Sequence, residues 1–192
     1  MTGNDIKAFA TAGVLKQVKL EDDKLVNAIN IANIELHKKF RLTINEQYVL
    51  MAEATTIYQL NEDCLHVVEV YNQRAELFDL NNEYDLNTIS TISYNQIQVS
   101  NPIPGEYLSV IYQASPPLIT SLDDTIAIPY TLLTPMLHYI GYVLYGGSSG
   151  DLDGPSAHHL QAYTSSCNMI IDEGLITPDN GVLSSVCAKG YV

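Results

Sequence analysis

The sequence predicts an α+β fold: an N-terminal helix pair, a central antiparallel β region, and a C-terminal helix pair followed by an extended tail. Three observations predict it. Apolar residues recur every three to four positions within 4–40 and again within 130–174, which is the helical period. Between 43 and 114 they alternate, which is the period of a strand. The change from strand to helix falls within Glu106–Tyr145, where the alternating YLSVIYQ is ended by Pro116-Pro117 and helical spacing resumes after Pro129. A chain of 192 residues is long enough to bury a core, and 1–176 reads as one α+β domain with a tail at 177–192.

Thr2 followed by Asp5 forms a capping signal for a first helix, with Ile6, Phe9, Ala10 and Val14 on one face and Gly13 near its end. A second helix begins after Glu21-Asp22-Asp23. Its face is Leu25, Ile29, Ala32, Leu36 and Phe40, and Lys38, Lys39 and Arg41 close it, a charge order that complements the helix dipole. Strands are predicted at Thr43–Met51, Tyr58–Leu60 and Leu65–Tyr71, with a hairpin turn at Asn72-Gln73-Arg74 leading into Ala75–Phe78. The acidic, Asn-rich Asp79–Asn87 reads as an exposed loop. Ile97–Val99 and Tyr107–Tyr112 are strands placed around the rigid turn Asn101-Pro102-Ile103-Pro104-Gly105, with Leu108, Val110 and Tyr112 on the richer apolar face.

The third helix carries Leu133, Met136 or Leu137, Ile140 and Leu144, with Gly141 allowing close packing. A glycine-rich loop from Gly146 to Gly154 leads to a last helix starting at Pro155 or Ser156. Leu160, Tyr163, Cys167, Ile170 and Ile171 form its apolar face, and Gly174 stops it. The tail beyond Pro178 is small and mildly apolar, with Lys189 its one charged residue from 180 onward. Sixteen residues from Thr177 to Val192 reach about 50 Å when extended at about 3.3 Å each.

With 22 acidic and 9 basic residues the net charge is −13, which argues against a tight grip on nucleic acid. Charged residues make up only 16% and tyrosines number 13, a surface composition suited to subunit contacts as well as to ordinary strand and core positions. Cys64, Cys167 and Cys187 form no CxxC pair and read as reduced thiols rather than a disulfide framework or a zinc site. The N-terminal MTGNDIKAF lacks the basic and apolar regions of a secretory signal, and no apolar run approaches the roughly 18 residues of a membrane span. Together these predict a soluble chain.

Several short stretches resemble chemical motifs but lack the spacing those motifs require. The glycine run follows a helix and lacks the GK[ST] ending of a phosphate cradle. Asp151-Leu152-Asp153-Gly154 superficially resembles a calcium loop, but Ala162 stands where a bidentate Glu is required. His158 and His159 are adjacent, so a helix points them about 100° apart, and they read as surface residues. Asp123-Asp124 reads as a turn or cap rather than an acid/base pair. No GxSxG elbow or Cys-His signature is present. The chain reads as non-enzymatic, with no catalytic residue, no cofactor and no metal.

The helix DDKLVNAINIANIELHKKF, the phrases IYQLNEDCLHVVEV and LSVIYQASPPLITSLDDTIAIP, and the two closing helices occur in an order that resembles the head-to-tail adaptor (connector) proteins of tailed bacteriophages, particularly the short-tailed ones. The resemblance covers nearly the whole chain. It implies a structural ring subunit, commonly in twelve copies, that docks on the portal and offers an attachment surface to tail or nozzle proteins. It also implies a place in the virion neck after synthesis in the host cytoplasm, with DNA passing through the ring without sequence-specific binding and with no membrane. An acidic lining would repel phosphates and let DNA slide.

Within that expectation the tail grips the portal through Thr177, Pro178, Val182, Leu183, Val186, Lys189, Tyr191 and Val192. Asp79, Asn81, Asn82, Glu83, Tyr84 and Asp85 face the tail machinery or a neighbouring subunit. The alternatives are a stopper or tail-completion ring protein, which would be more β-dominated, and a solitary small-ligand-binding α+β module with a concave apolar pocket.

Overall fold

The computed structural model describes residues 1–16, 20–85, 87–146 and 154–176. The tail 177–192 and most of the glycine run lie outside them. The fold is α+β, as the sequence predicts, and it forms two compact units. One comprises Met1–Arg41 with the described residues from Pro116 onward, and the other is Leu42–Ser115.

In the helical unit, α1 (Gly3–Ala12) starts in the predicted capping box: Thr2 Oγ1 accepts the Asp5 N–H and Asp5 Oδ2 accepts the Thr2 N–H. Ile6 and Ala10 are buried, but Phe9 is exposed and Val14 lies at the margin. The helix ends before Val14, and the turn that follows brings Leu15 inward in its place. α2 (Asp22–Lys39) buries the predicted stripe Leu25, Ile29, Ala32 and Leu36, with Phe40 buried at its C-cap. Asn30 on α2 holds the returning chain, donating through Nδ2 to the Ile119 carbonyl and accepting the Ile119 N–H at Oδ1, each at 2.9 Å. Asp124 Oδ2 accepts the N–H groups of Thr120 and Ser121, so the acidic pair forms a turn, as its sequence suggests.

A 3-10 turn (Tyr130–Leu132) leads into α3 (Leu133–Leu144), which packs on α4 (Pro155–Asp172). The buried face of α4 corrects the sequence reading. Ser156, His159, Tyr163, Cys167 and Ile170 point inward, whereas Leu160 is exposed. His159, expected at the surface, is only 6% exposed because Gly141 on α3 makes room for its ring: a Cβ at 141 would lie 2.8 Å from His159 Nδ1. His159 also stacks on Tyr145 and sets its Nδ1 3.4 Å from His138 Nδ1. α4 stops at the predicted glycine. Gly174 sits at φ +66° while the N–H groups of Gly174 and Leu175 donate to the Ile171 and Ile170 carbonyls, the Schellman arrangement.

The histidines give the helical unit an acid limit. Burial lowers the pKa of His37, His138 and His159, with neighbouring imidazoles adding to the shift for the last two. A histidine whose folded-state pKa is depressed binds more protons when unfolded. Its neutral form supports the fold above about pH 6.5, and that support is lost as the pH falls through the folded-state value. Thermal melts from pH 8 to 5 are expected to show a falling midpoint below about pH 6.5, and the fall is expected to be shallower in His159→Gln. An unchanged midpoint between pH 7 and 5 would contradict this reading.

The β unit is two three-stranded antiparallel sheets sharing one core. β1 (Ile44–Leu50), β3 (Cys64–Asn72) and β6 (Tyr107–Ala114) form the first in the order β1-β6-β3. β2 (Ile57–Gln59), β4 (Ile89–Ser93) and β5 (Gln96–Val99) form the second in the order β2-β5-β4. Val49, Val67, Val70, Leu108, Val110 and Tyr112 of the first meet Tyr58, Ile89, Ile97 and Val99 of the second. Tyr112 is buried to its tip, where its hydroxyl donates to Asp63 Oδ1 and accepts from Asn61 Nδ2.

Two local readings change. The strands flanking Asn101–Gly105 belong to different sheets, and this rigid turn carries the chain from one to the other. The sequence does not signal β4, because the two isoleucines of Ile89–Ser93 stand three positions apart and fall on opposite faces, leaving neither face strongly apolar. After β3 the chain does turn back, with Asn72 Oδ1 accepting the N–H groups of Arg74 and Glu76, but only a single bridge, Tyr71 with Leu77, forms.

Candidate assembly surface

Strand alternation sends Leu108, Val110 and Tyr112 of β6 into the core and therefore turns Tyr107, Ser109 and Ile111 outward. Register then sets the rows across the sheet: Leu50 lies opposite Tyr107, Tyr48–Ser109–Tyr71 form a second row, and Glu46–Ile111–Glu69 a third. Tyr48 is 66% exposed, Leu50 52% and Tyr107 49%, and Ile44 extends the apolar area along β1. A shallow groove of about 620 Å³ runs over this face, bounded by Tyr48, Tyr71, Ala75, Tyr107 and Ile111.

The polar groups on this face are already bonded to each other. Ser109 donates to the Glu46 carboxylate, Tyr48 bonds it too, and together they hold its pKa below the usual range. Tyr71 donates to Glu69 Oε2 at 2.8 Å, and bonds to Glu46 and Glu69 push the Tyr48 and Tyr71 hydroxyls up in pKa. The phenols therefore stay neutral donors. A surface whose hydroxyls and carboxylates have partners loses less on drying than one with free polar groups, and its rings supply apolar area. That chemistry suits protein contact.

The loop residues predicted as a contact are split by the structure. Asn81 takes φ +54° and its Oδ1 accepts the Thr91 N–H, while Asn82 donates from its backbone to Thr88 Oγ1 and from Nδ2 to Asp79 Oδ2. Asp85 Oδ1 accepts the Asn87 N–H. These side chains brace the loop against β4, leaving Glu83 exposed and Tyr84, at 98%, as its most prominent ring. The eight predicted portal-binding residues, from Thr177 to Val192, lie outside the described residues. Sequence reading did not single out the outer face of β1. Its signal is alternation with apolar residues on both sides, Ile44, Tyr48 and Leu50 against Val49 and Met51.

A second hollow of about 600 Å³ lies in the β unit among Met51, Phe78, Val99 and Ile103, with Arg74 and Glu106 at its polar side. Burial pushes the Cys64 thiol up to about 11, and Cys167 is likewise raised, so both are protonated near neutrality and weak nucleophiles. Among the described residues no group of three or more His, Cys, Asp or Glu could hold a metal ion, and no helix is long and apolar enough to cross a membrane. No protein-family model matches the chain, and no curated protein matches it.

Proposed function

We propose that this chain is a non-enzymatic structural subunit of a phage head–tail connector, forming a ring that docks on the portal and offers the tail an attachment surface around the DNA channel. The carrying observation is the outer face of β1-β6-β3, where Tyr48, Leu50, Tyr107 and Ile44 stand exposed together in a chain of net charge −13. Apolar area of this kind marks interaction sites, and tyrosine is enriched in them. A closed ring requires each subunit to present two different complementary surfaces. In this reading the sheet face meets a neighbouring copy, Tyr84 and its loop meet tail components or a neighbour, and the segment 177–192 grips the portal. The order of helix pair, β region and helix pair supports the same resemblance.

The test is co-assembly of the full chain with the portal protein of its phage, followed by native mass spectrometry. Stoichiometric binding is expected, and absence of binding at micromolar concentration would overturn the reading. A solitary ligand-binding module is the second reading, favoured by the hollow at Met51, Phe78 and Val99, and it would leave the chain monomeric with or without portal.

A further inference from the structure

Of the four sheet edges in the β unit, three are short or covered. β3 is irregular at two places, and its edge bonds the returning chain where Phe78 N–H donates to the Val70 carbonyl and Asn72 N–H to the Glu76 carbonyl. The edge of β4 bonds residues 79–81, with Ile89 N–H donating to the Asp79 carbonyl and Asn81 N–H to the Ile89 carbonyl. β2 is three residues long. β1 is different: it has seven residues in regular register, without proline, glycine or lysine, and among the described residues no strand lies on its other side. Ala114 N–H donates to the Thr43 carbonyl and Met51 N–H to the Glu106 carbonyl, so the odd positions bond β6. Ile44, Glu46, Tyr48 and Leu50 therefore turn their N–H and C=O groups to the open edge. Natural sheets blunt or cover such an edge.

We infer that a second copy of this chain covers it: β1 pairs antiparallel with β1 of the other copy about a two-fold at Gln47, joining two β1-β6-β3 sheets into one. The strand is complementary to itself in this register. Ile44 stands opposite Leu50 of the second copy and Glu46 opposite Tyr48, so apolar meets apolar and carboxylate meets hydroxyl along the exposed face. Each of these pairs joins two even positions, so every outward N–H meets an outward C=O. Moving the axis to Glu46 sets two carboxylates opposite each other, and moving it to Tyr48 sets Glu46 against Leu50; either shortens the ladder. The pairing does not rest on the connector reading. A two-fold pair turns its copies in opposite directions, whereas the subunits of a ring on one portal all face the same way. The pair is therefore a form of the free chain, one that has to part before such a ring closes.

The test uses the full chain without portal. Native mass spectrometry and sedimentation are expected to find a dimer at micromolar concentration, and a chain monomeric up to submillimolar concentration would overturn the inference. A monomer whose Glu46 and Tyr48 amides are still protected from hydrogen exchange would mean that something else covers the edge, and would overturn it too. Glu46→Pro removes an outward donor from each copy while leaving the bonds to β6, and is expected to raise the dissociation constant about tenfold or more. An unchanged constant would place the contact elsewhere. The register is read by disulfide trapping in a Cys187→Ser background, where Cys64 and Cys167 are buried and do not compete. Gln47→Cys faces its own copy across the axis at about 4.5 Å between Cα atoms, within disulfide range. Glu46→Cys and Tyr48→Cys are each two residues out of step with their own copy and are expected to give about tenfold less covalent dimer. No covalent dimer at Gln47→Cys, or equal yields at all three positions, would overturn the pairing. Portal binding enters none of these measurements, so the connector reading and this inference fail separately.

Discussion

Replacing Gly141 with valine is expected to destabilise the helical unit by about 3 kcal/mol, the upper range for forcing extra carbon into a packed interior. A Cβ there meets three atoms of the His159 ring, Nδ1, Cγ and Cε1, all within 2.9 Å. The ring cannot simply swing aside, because Tyr145 stacks on it and His138 lies against its Nδ1. Gly141→Ala is expected to cost less. Alanine gains about 1 kcal/mol of helix propensity over glycine, which offsets part of the clash. The discriminating measurement is a double-mutant cycle: on a His159→Ala background the valine penalty should fall by at least half, a coupling within the ordinary range of about 0.5–3 kcal/mol for contacting residues. Equal penalties in both backgrounds would show that the clash is not with His159.

Tyr48→Asp combined with Leu50→Asp is expected to weaken self-association and portal association by roughly two orders of magnitude or more, in line with about 2 kcal/mol or more for one central interface residue. Both side chains point to solvent, so the β unit itself should fold unchanged. The carboxylate at 48 would lie one row from Glu46 on the same face, and burying either new carboxylate in a contact adds a desolvation cost. Sedimentation with purified portal reads the association, and a circular dichroism melt checks the fold. Undiminished assembly would move the contact away from this sheet face.

Much of the fold was legible in the sequence because its signals are local. The α1 capping box, the α2 stripe with its charge order and the Gly174 stop each depend on residues within a few positions of one another. What was not legible depends on partners distant in the chain. His159 is buried because Gly141, eighteen positions earlier, lacks a side chain, and nothing near His159 reports that. Ile97–Val99 and Tyr107–Tyr112 each read as a strand, but which strands they pair with is set by residues far along the chain, and pairing assigns them to separate sheets. The outer face of β1 was hidden for the same reason: Tyr48 and Leu50 become a surface only when β6 brings Tyr107 and Ile111 beside them, more than fifty residues later.

The most direct test of the ring reading is the mass of the full chain, alone and after mixing with its portal, measured by native mass spectrometry. The account predicts one copy bound for each portal subunit in a closed ring, lost in the Tyr48→Asp, Leu50→Asp variant. A chain that stays monomeric beside the portal at every concentration tested would contradict it.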